Sequence, residues 1–157
     1  FDDLIVGAPY DDPNGGDSGA SFVVFGGDFS GVATQIGTAA GEALTGTTGA
    51  DVIFAAQGDD TLDGGGGTDR LSGGQGADLF TFRNLDGTTT VMDFDGAGGD
   101  RLDVSDFGFA DFAAFSAVAS ADGPGGHDTR FDLDADTAVI LQDVSPDILD
   151  ASHVVLV

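Results

Sequence analysis

Between Gly46 and Thr81 the chain repeats one order of polar and apolar positions every nine residues: GTTGADVIF (46–54), AAQGDDTLD (55–63), GGGGTDRLS (64–72) and GGQGADLFT (73–81). Glycine holds the fourth place (Gly49, Gly58, Gly67, Gly76) and aspartate the sixth (Asp51, Asp60, Asp69, Asp78). A large apolar residue holds the eighth (Ile53, Leu62, Leu71, Phe80). A six-residue polar turn followed by a three-residue strand with its middle side chain inward accounts for that order.

Outside the repeats the pattern predicts other elements. Phe1 to Gly27 reads as a β-hairpin, with apolar runs at Leu4–Val6 and Phe22–Phe25 on either side of a polar loop. Gly27 to Ile36 reads as a linker, and GTAAGEALT from Gly37 as a degraded unit, with Ala40 for glycine, Glu42 for aspartate and Leu44 at the inward place. After Thr81, Thr88–Phe94 reads as a strand with Val91 and Met92 inward, and GAGGDRLDVSDF repeats that logic with Leu102 and Val104. Phe109, Phe112, Phe115 and Val118 predict one amphipathic helix over 110–119, capped by Ser105 or Asp106 and ended by Gly123–Gly126. Two strands follow, around Phe131/Leu133 and Val139–Leu141, then a short helix from Ser145 with Pro146 at its first position, and the closing HVVLV.

Composition narrows the chemistry. The 157 residues are 41% apolar with 13 Phe, enough for a core. Of 28 acidic residues only Glu42 is a glutamate, against 4 basic residues, all arginine. Aspartate favours turns and ligand loops over helices, so the acids belong there. A net charge of −24 disfavours nucleic acid and favours cations, or serves as a solvating surface. There is no cysteine, no run long enough for a membrane span and no N-terminal signal peptide; an opening Phe1 rather than Met suggests a piece of a longer chain.

The nine-residue period is that of G-G-x-G-x-D-x-U-x, the unit of calcium-binding parallel β-rolls. The units resemble the RTX (repeats-in-toxin) family of type I secreted bacterial proteins, over roughly residues 37 to 157. A flexible linker has no reason to space Ile, Leu, Leu and Phe nine apart, and no phosphate-loop glycine pattern is present. The implied fold is mainly β: a parallel β-roll of nonapeptide repeats with an α+β C-terminal cap and an N-terminal β-hairpin. Two units make one coil, which stacks turn 46–51 on 64–69 and 55–60 on 73–78. Two Ca²⁺ sites follow, one around Asp51 and Asp69 with Gly46, Thr48, Gly64 and Gly66. The other lies around Asp60 and Asp78 with Ala55, Gln57, Gly73 and Gln75; carbonyls and carboxylates supply the oxygens hard Ca²⁺ prefers. A weaker third, with Glu42 and Asp59 as candidates, lies between turns 37–42 and 55–60. VMDFDGAGGDRLDVS resembles the family's capping segment, so Asp93, Asp95, Asp100 and Asp103 read either as a capping calcium site or as ordinary turn and edge acids.

FDDLIVGAP followed by GASFVVFGG resembles an FG-GAP repeat of integrin-type β-propellers, with Asp3 at the last acidic place of that family's calcium loop. The expected organisation is 1–30 partial FG-GAP-like hairpin, 31–45 linker and degraded first repeat, 46–81 calcium-binding roll, and 82–157 capping and C-terminal secretion-signal region. His127 and His153 are isolated, and neither G-x-S-x-G nor H-E-x-x-H occurs, so the chain reads as non-enzymatic. The resemblance implies a calcium-dependent folding, stability and secretion module at the C-terminus of a large extracellular protein of a Gram-negative bacterium, an adhesin or surface protein. Its implied partners are calcium, the type I secretion machinery and an upstream propeller of the same chain. The alternative is an appendage of a secreted protease or lipase.

Overall fold

A polar turn every nine residues reverses the chain, and each reversal sends it to the opposite wall of a flattened coil. The computed structural model describes the backbone of residues 2–8 and 20–27, and residues 33–123 and 125–157 with their side chains. Two compact units emerge, Phe1–Val32 and Ala33–Val157. In the first, β1 (Asp2–Ala8) pairs antiparallel with β2 (Ala20–Gly27), Ile5 opposite Val23. The side chain of Asp3 lies outside the described residues.

The second unit is a parallel β-roll. Strands β3 (Gln35–Ile36), β5 (Val52–Phe54), β7 (Gly67–Ser72) and β9 (Gly87–Val91) run parallel in one sheet. Strands β4 (Ala43–Thr45), β6 (Thr61–Asp63), β8 (Leu79–Thr81) and β10 (Arg101–Asp103) run parallel in the other. The chain therefore alternates sheets with every strand. The first sheet is completed by β13 (Thr137–Leu141), parallel to β9, and by β12 (Asp128–Asp132) and β11 (Ala119–Asp122), which add antiparallel. The second is closed by β14 (Val154–Val155), parallel to β10.

Register aligns the inward side chains into two columns. Ile53, Leu71, Val91 and Leu141 are neighbours across the first sheet, and Leu44, Leu62, Phe80, Leu102 and Val154 across the second. All of them except Leu44 are buried, and they form one continuous core. Each large side chain so buried contributes about 1.5–3 kcal/mol.

Several elements differ from the expectations. The stretch read as a linker ends in a strand: Gln35 and Ile36 pair with Ile53 and Phe54, although Ile36 is exposed. Backbone pairing, which leaves no apolar pattern, places β3 there. The helix is only α1 (Phe112–Ser116), and its cap is Asp111, whose carboxylate accepts the Ala114 N–H. Ser105–Phe107 instead forms a separate 3-10 turn that ends at Gly108 with φ 66°. The helix stops because Ala119 already pairs with Phe131 in the sheet. Its aromatic face is core, with Phe115 stacked on Phe131 at 4.5 Å and meeting Phe109 edge-on at 5.6 Å. The second helix is a single 3-10 turn, Pro146–Ile148, and the expected strand at Thr88–Phe94 stops at Val91 with Met92 half-buried.

Leu71 sits mid-column with no exposed surface. Leu71→Ala should lower the stability of the calcium-loaded chain by about 2–5 kcal/mol in urea denaturation.

Candidate metal centre

The turns between strands carry the chemistry, and their backbones approach very closely. A Cβ on Gly46 would lie 2.2 Å from the Gly64 carbonyl oxygen, and one on Gly37 would lie 2.3 Å from that of Ala55. At Gly37 and Gly46 glycine is thus a clearance that lets the next coil's carbonyl enter. The fourth-place glycines Gly58, Gly67 and Gly76 have φ of 110°, 126° and 138°, a region L-residues avoid. Gly49, at the same place, does not adopt that conformation. The second place is also left-handed, at Gly65 (74°), Gly74 (94°) and Ala56 (83°).

The sixth-place carboxylates link successive coils. Asp69 Oδ1 accepts the N–H of Asp51 at 2.9 Å, Asp78 Oδ1 that of Asp60 at 2.8 Å, and Asp60 Oδ1 that of Glu42 at 2.7 Å. Asp100 Oδ1 continues the row by accepting the N–H of Asp78 at 2.9 Å. The second oxygens of Asp60, Asp69 and Asp78 are buried and have no hydrogen-bond partner, in residues only 1%, 0% and 1% exposed. Arg70 Nε, outside the turns, is the one other such atom among the described residues. Two of the bare oxygens lie against the first residue of their own turns: Asp69 Oδ2 would lie 2.6 Å from a Cβ on Gly64, and Asp78 Oδ2 2.2 Å from one on Gly73.

The structure stacks the two groups of candidate residues as two turn pairs. Thr47 O accepts the N–H of Gly66 at 2.9 Å, beside Gly46, Thr48 and Gly64. On the opposite edge Ala56 O accepts the N–H of Gln75 at 2.9 Å, and Gln57 bridges Gln75 next to Ala55 and Gly73. The other candidates are engaged separately. Asp59 accepts the N–H of Ala77, Asp93 accepts Ser72 Oγ and the N–H groups of Gly73 and Gly74, and Asp103 accepts the N–H of Ser105. Asp100 uses its second oxygen on the N–H of Asp95. Among the described residues no three acidic or histidine side chains converge as a metal cluster. The donor set is instead backbone carbonyls with a carboxylate per turn.

Burial pushes the carboxyls of Asp60 and Asp69 up to about 6, reinforced by neighbouring acids, Asp78, Glu42 and Asp59 for the first and Asp51, Asp86 and Asp63 for the second. Burial raises Asp78 as well. Asp51 is held low, chiefly by the N–H of Thr47. Desolvated carboxylates lacking a counter-charge, with an unpartnered oxygen in the turns of Asp60, Asp69 and Asp78 and carbonyls nearby, fit a hard divalent cation such as Ca²⁺.

Sequence reasoning missed Asp86. Its carbonyl accepts the N–H of Gly67 and its carboxylate that of Arg83, so residues 83–86 close over turn 64–69 where the nonapeptide period has ended. The dipeptide Asp86-Gly87 was the available signal.

Residues 45–80 match four copies of the RTX calcium-binding nonapeptide repeat. The R2 subunit of the Azotobacter vinelandii mannuronan C5-epimerase AlgE6 is 30% identical over 77% of this chain and 91% of that one, with a TM-score of 0.53. The chain belongs to the RTX calcium-binding repeat family. The R3 subunit of the same epimerase is also 30% identical, over 76% of this RTX chain and 80% of that one, with a TM-score of 0.50. The extracellular lipase LipA of Serratia marcescens matches at 22% identity over 77% of this chain and 20% of its own, with a TM-score of 0.49. No curated protein matches the chain.

Two outcomes follow from this geometry. Asp60 and Asp69 titrate higher in the metal-free roll than in the unfolded chain, from 3.8 to about 6. The folded state therefore binds more protons, and their stabilisation is present below about pH 4 and lost as pH rises through about 6. In chelator, circular dichroism should show more β signal at pH 4 than at pH 7, and more calcium should be needed to fold the roll at pH 5 than at pH 7. Ala56→Gly should raise stability by about 0.5–1 kcal/mol in urea denaturation, because it relieves a left-handed alanine.

Proposed function

We propose that this chain is a calcium-dependent folding and stability module of a larger extracellular protein. The observation that carries the reading is the set of unpartnered carboxylate oxygens on Asp60, Asp69 and Asp78, buried in stacked turns. Without a cation the rows of aspartate repel one another across each coil, and short strands such as Thr61–Asp63 and Arg101–Asp103 bury only one large side chain apiece. Extracellular calcium sites bind with Kd near ~10⁻⁴ M, and calcium at about 100-fold its Kd adds ~2.7 kcal/mol per site. Two or three sites then add roughly 5–8 kcal/mol, the scale of a small domain's whole stability.

On this reading the module leaves a Gram-negative cell through the type I machinery as an unfolded chain, its C-terminal region serving as the signal. It folds where calcium is abundant, outside the cell or at its surface. No helix among the described residues is long and apolar enough to cross a membrane. The module itself performs no chemistry; it stabilises what is joined to it. An upstream propeller of an adhesin is one such partner, supported by the FG-GAP-like opening. A secreted enzyme is the other, and here the likeness to two subunits of an epimerase lends weight. The residues encoded before Phe1 discriminate, as further blades or as a catalytic domain.

Far-ultraviolet circular dichroism of the 157-residue chain, in chelator and then in 10 mM (about 100-fold the Kd above) calcium at pH 7, tests the folding role. The β spectrum should appear with calcium and vanish on its removal. An unchanged spectrum after stripping would sink the reading.

A further inference from the structure

The turns of the roll are of two kinds. In turn 46–51, Asp51 Oδ2 accepts both the N–H and the hydroxyl of Thr47, at 2.6 and 2.8 Å, while Thr47 Oγ1 accepts the N–H of Gly49 at 3.1 Å. Turn 37–42 repeats the backbone part of the arrangement, with no hydroxyl bond to its acid: Glu42 Oε2 accepts the N–H of Thr38 at 2.5 Å, and Thr38 Oγ1 accepts the N–H of Ala40 at 3.3 Å. Both turns have threonine at the second place, and in both the sixth-place acid closes its own turn. In the next three turns the second place is Ala56, Gly65 or Gly74 in the left-handed region, and the sixth-place acid keeps a bare, buried oxygen. Glycine or alanine offers no hydroxyl, and no other donor reaches that oxygen.

We propose that the first coil, residues 37–51, is an end cap whose own acids, Glu42 and Asp51, hold no metal, and that cations bind only at the bare oxygens of Asp60, Asp69 and Asp78, one at each. The proposal rests on the calcium-binding reading above, and it changes which carboxylates hold the metal. To ligate a cation through Oδ2, Asp51 would have to release two short hydrogen bonds and strand the Thr47 N–H, whereas Asp69 gives up nothing. Threonine at the second place is therefore the residue that separates a closed turn from a cation-requiring one. Asp60 gains a site of its own against turn 37–42, whose Glu42 supplies its N–H to Asp60 Oδ1 and no free carboxylate oxygen on the Thr38 side.

Calcium stoichiometry, measured by equilibrium dialysis and atomic emission at saturating calcium with circular dichroism as the folding check, tests this on the 157-residue chain. The unmodified chain should hold three ions, Asp60→Asn and Asp69→Asn two each, and Asp51→Asn three. Loss of an ion from Asp51→Asn, or retention of all three by Asp60→Asn, overturns the proposal, as does a count of two in the unmodified chain. Binding of no calcium at all would instead defeat the folding role proposed above. Should Asp60→Asn or Asp69→Asn fail to fold, the Asp51→Asn count decides alone: three ions support the cap and two overturn it.

Discussion

The constraint on which this structure depends is a carboxylate oxygen buried without a hydrogen to accept. An ionised acid removed from water costs several kcal/mol unless something positive or protic replaces the lost hydration. In the roll one oxygen of each of Asp60, Asp69 and Asp78 is satisfied by an N–H from the preceding coil, which fixes its position. The other is left to whatever enters the turn. Each of these coils is thereby joined to its neighbour through a rigid group that is itself incomplete, and on the reading proposed above stacking and ligand uptake become one event.

On the calcium-dependent reading proposed above, the hydrophobic columns do not carry the fold alone. A three-residue strand offers one fully inward side chain, and coil-to-coil contact is the sole way to bury it, so stability is a sum over neighbours with costly ends. The two ends are handled differently. At the C-terminal end the antiparallel strands β11–β13 and the strand β14 extend both sheets, with Phe115 and Phe131 stacked against the core. At the other end β3 and β4 are edge strands, and the Gln35 amide reaches across to the Thr45 carbonyl.

What could be read in advance was whatever recurs. The eighth-place column and the aspartate row repeat every nine residues, and the register follows because Ile53, Leu71 and Val91 must share one wall. What could not be read lacks a period. Gln35–Ile36 is a strand through backbone pairing alone, and Asp86 takes part in the stack at an irregular spacing. The helix at Phe112 is short because Ala119 is claimed by the sheet, a tertiary demand with no local mark. Thr38 and Thr47 stand at the second place of their turns with no mark of a role in the repeat, yet their amides, and the hydroxyl of Thr47, alter what the neighbouring acid can do. Ala56 shows the reverse case, a residue that accepts a glycine conformation at φ 83° because the coils on either side dictate it.

Alternation between sheets also gives the chain a parity. Each nonapeptide moves the backbone from one wall to the other, as β5, β6, β7 and β8 do in turn. Removing one nonapeptide would therefore hand every later strand to the wrong wall and exchange the two columns, so that Phe80 would have to fill a place shaped for Leu71. Removing two would restore each strand to its own wall and merely shorten the roll. The length of such a chain can change easily only by whole coils, which makes eighteen residues, rather than nine, its heritable unit.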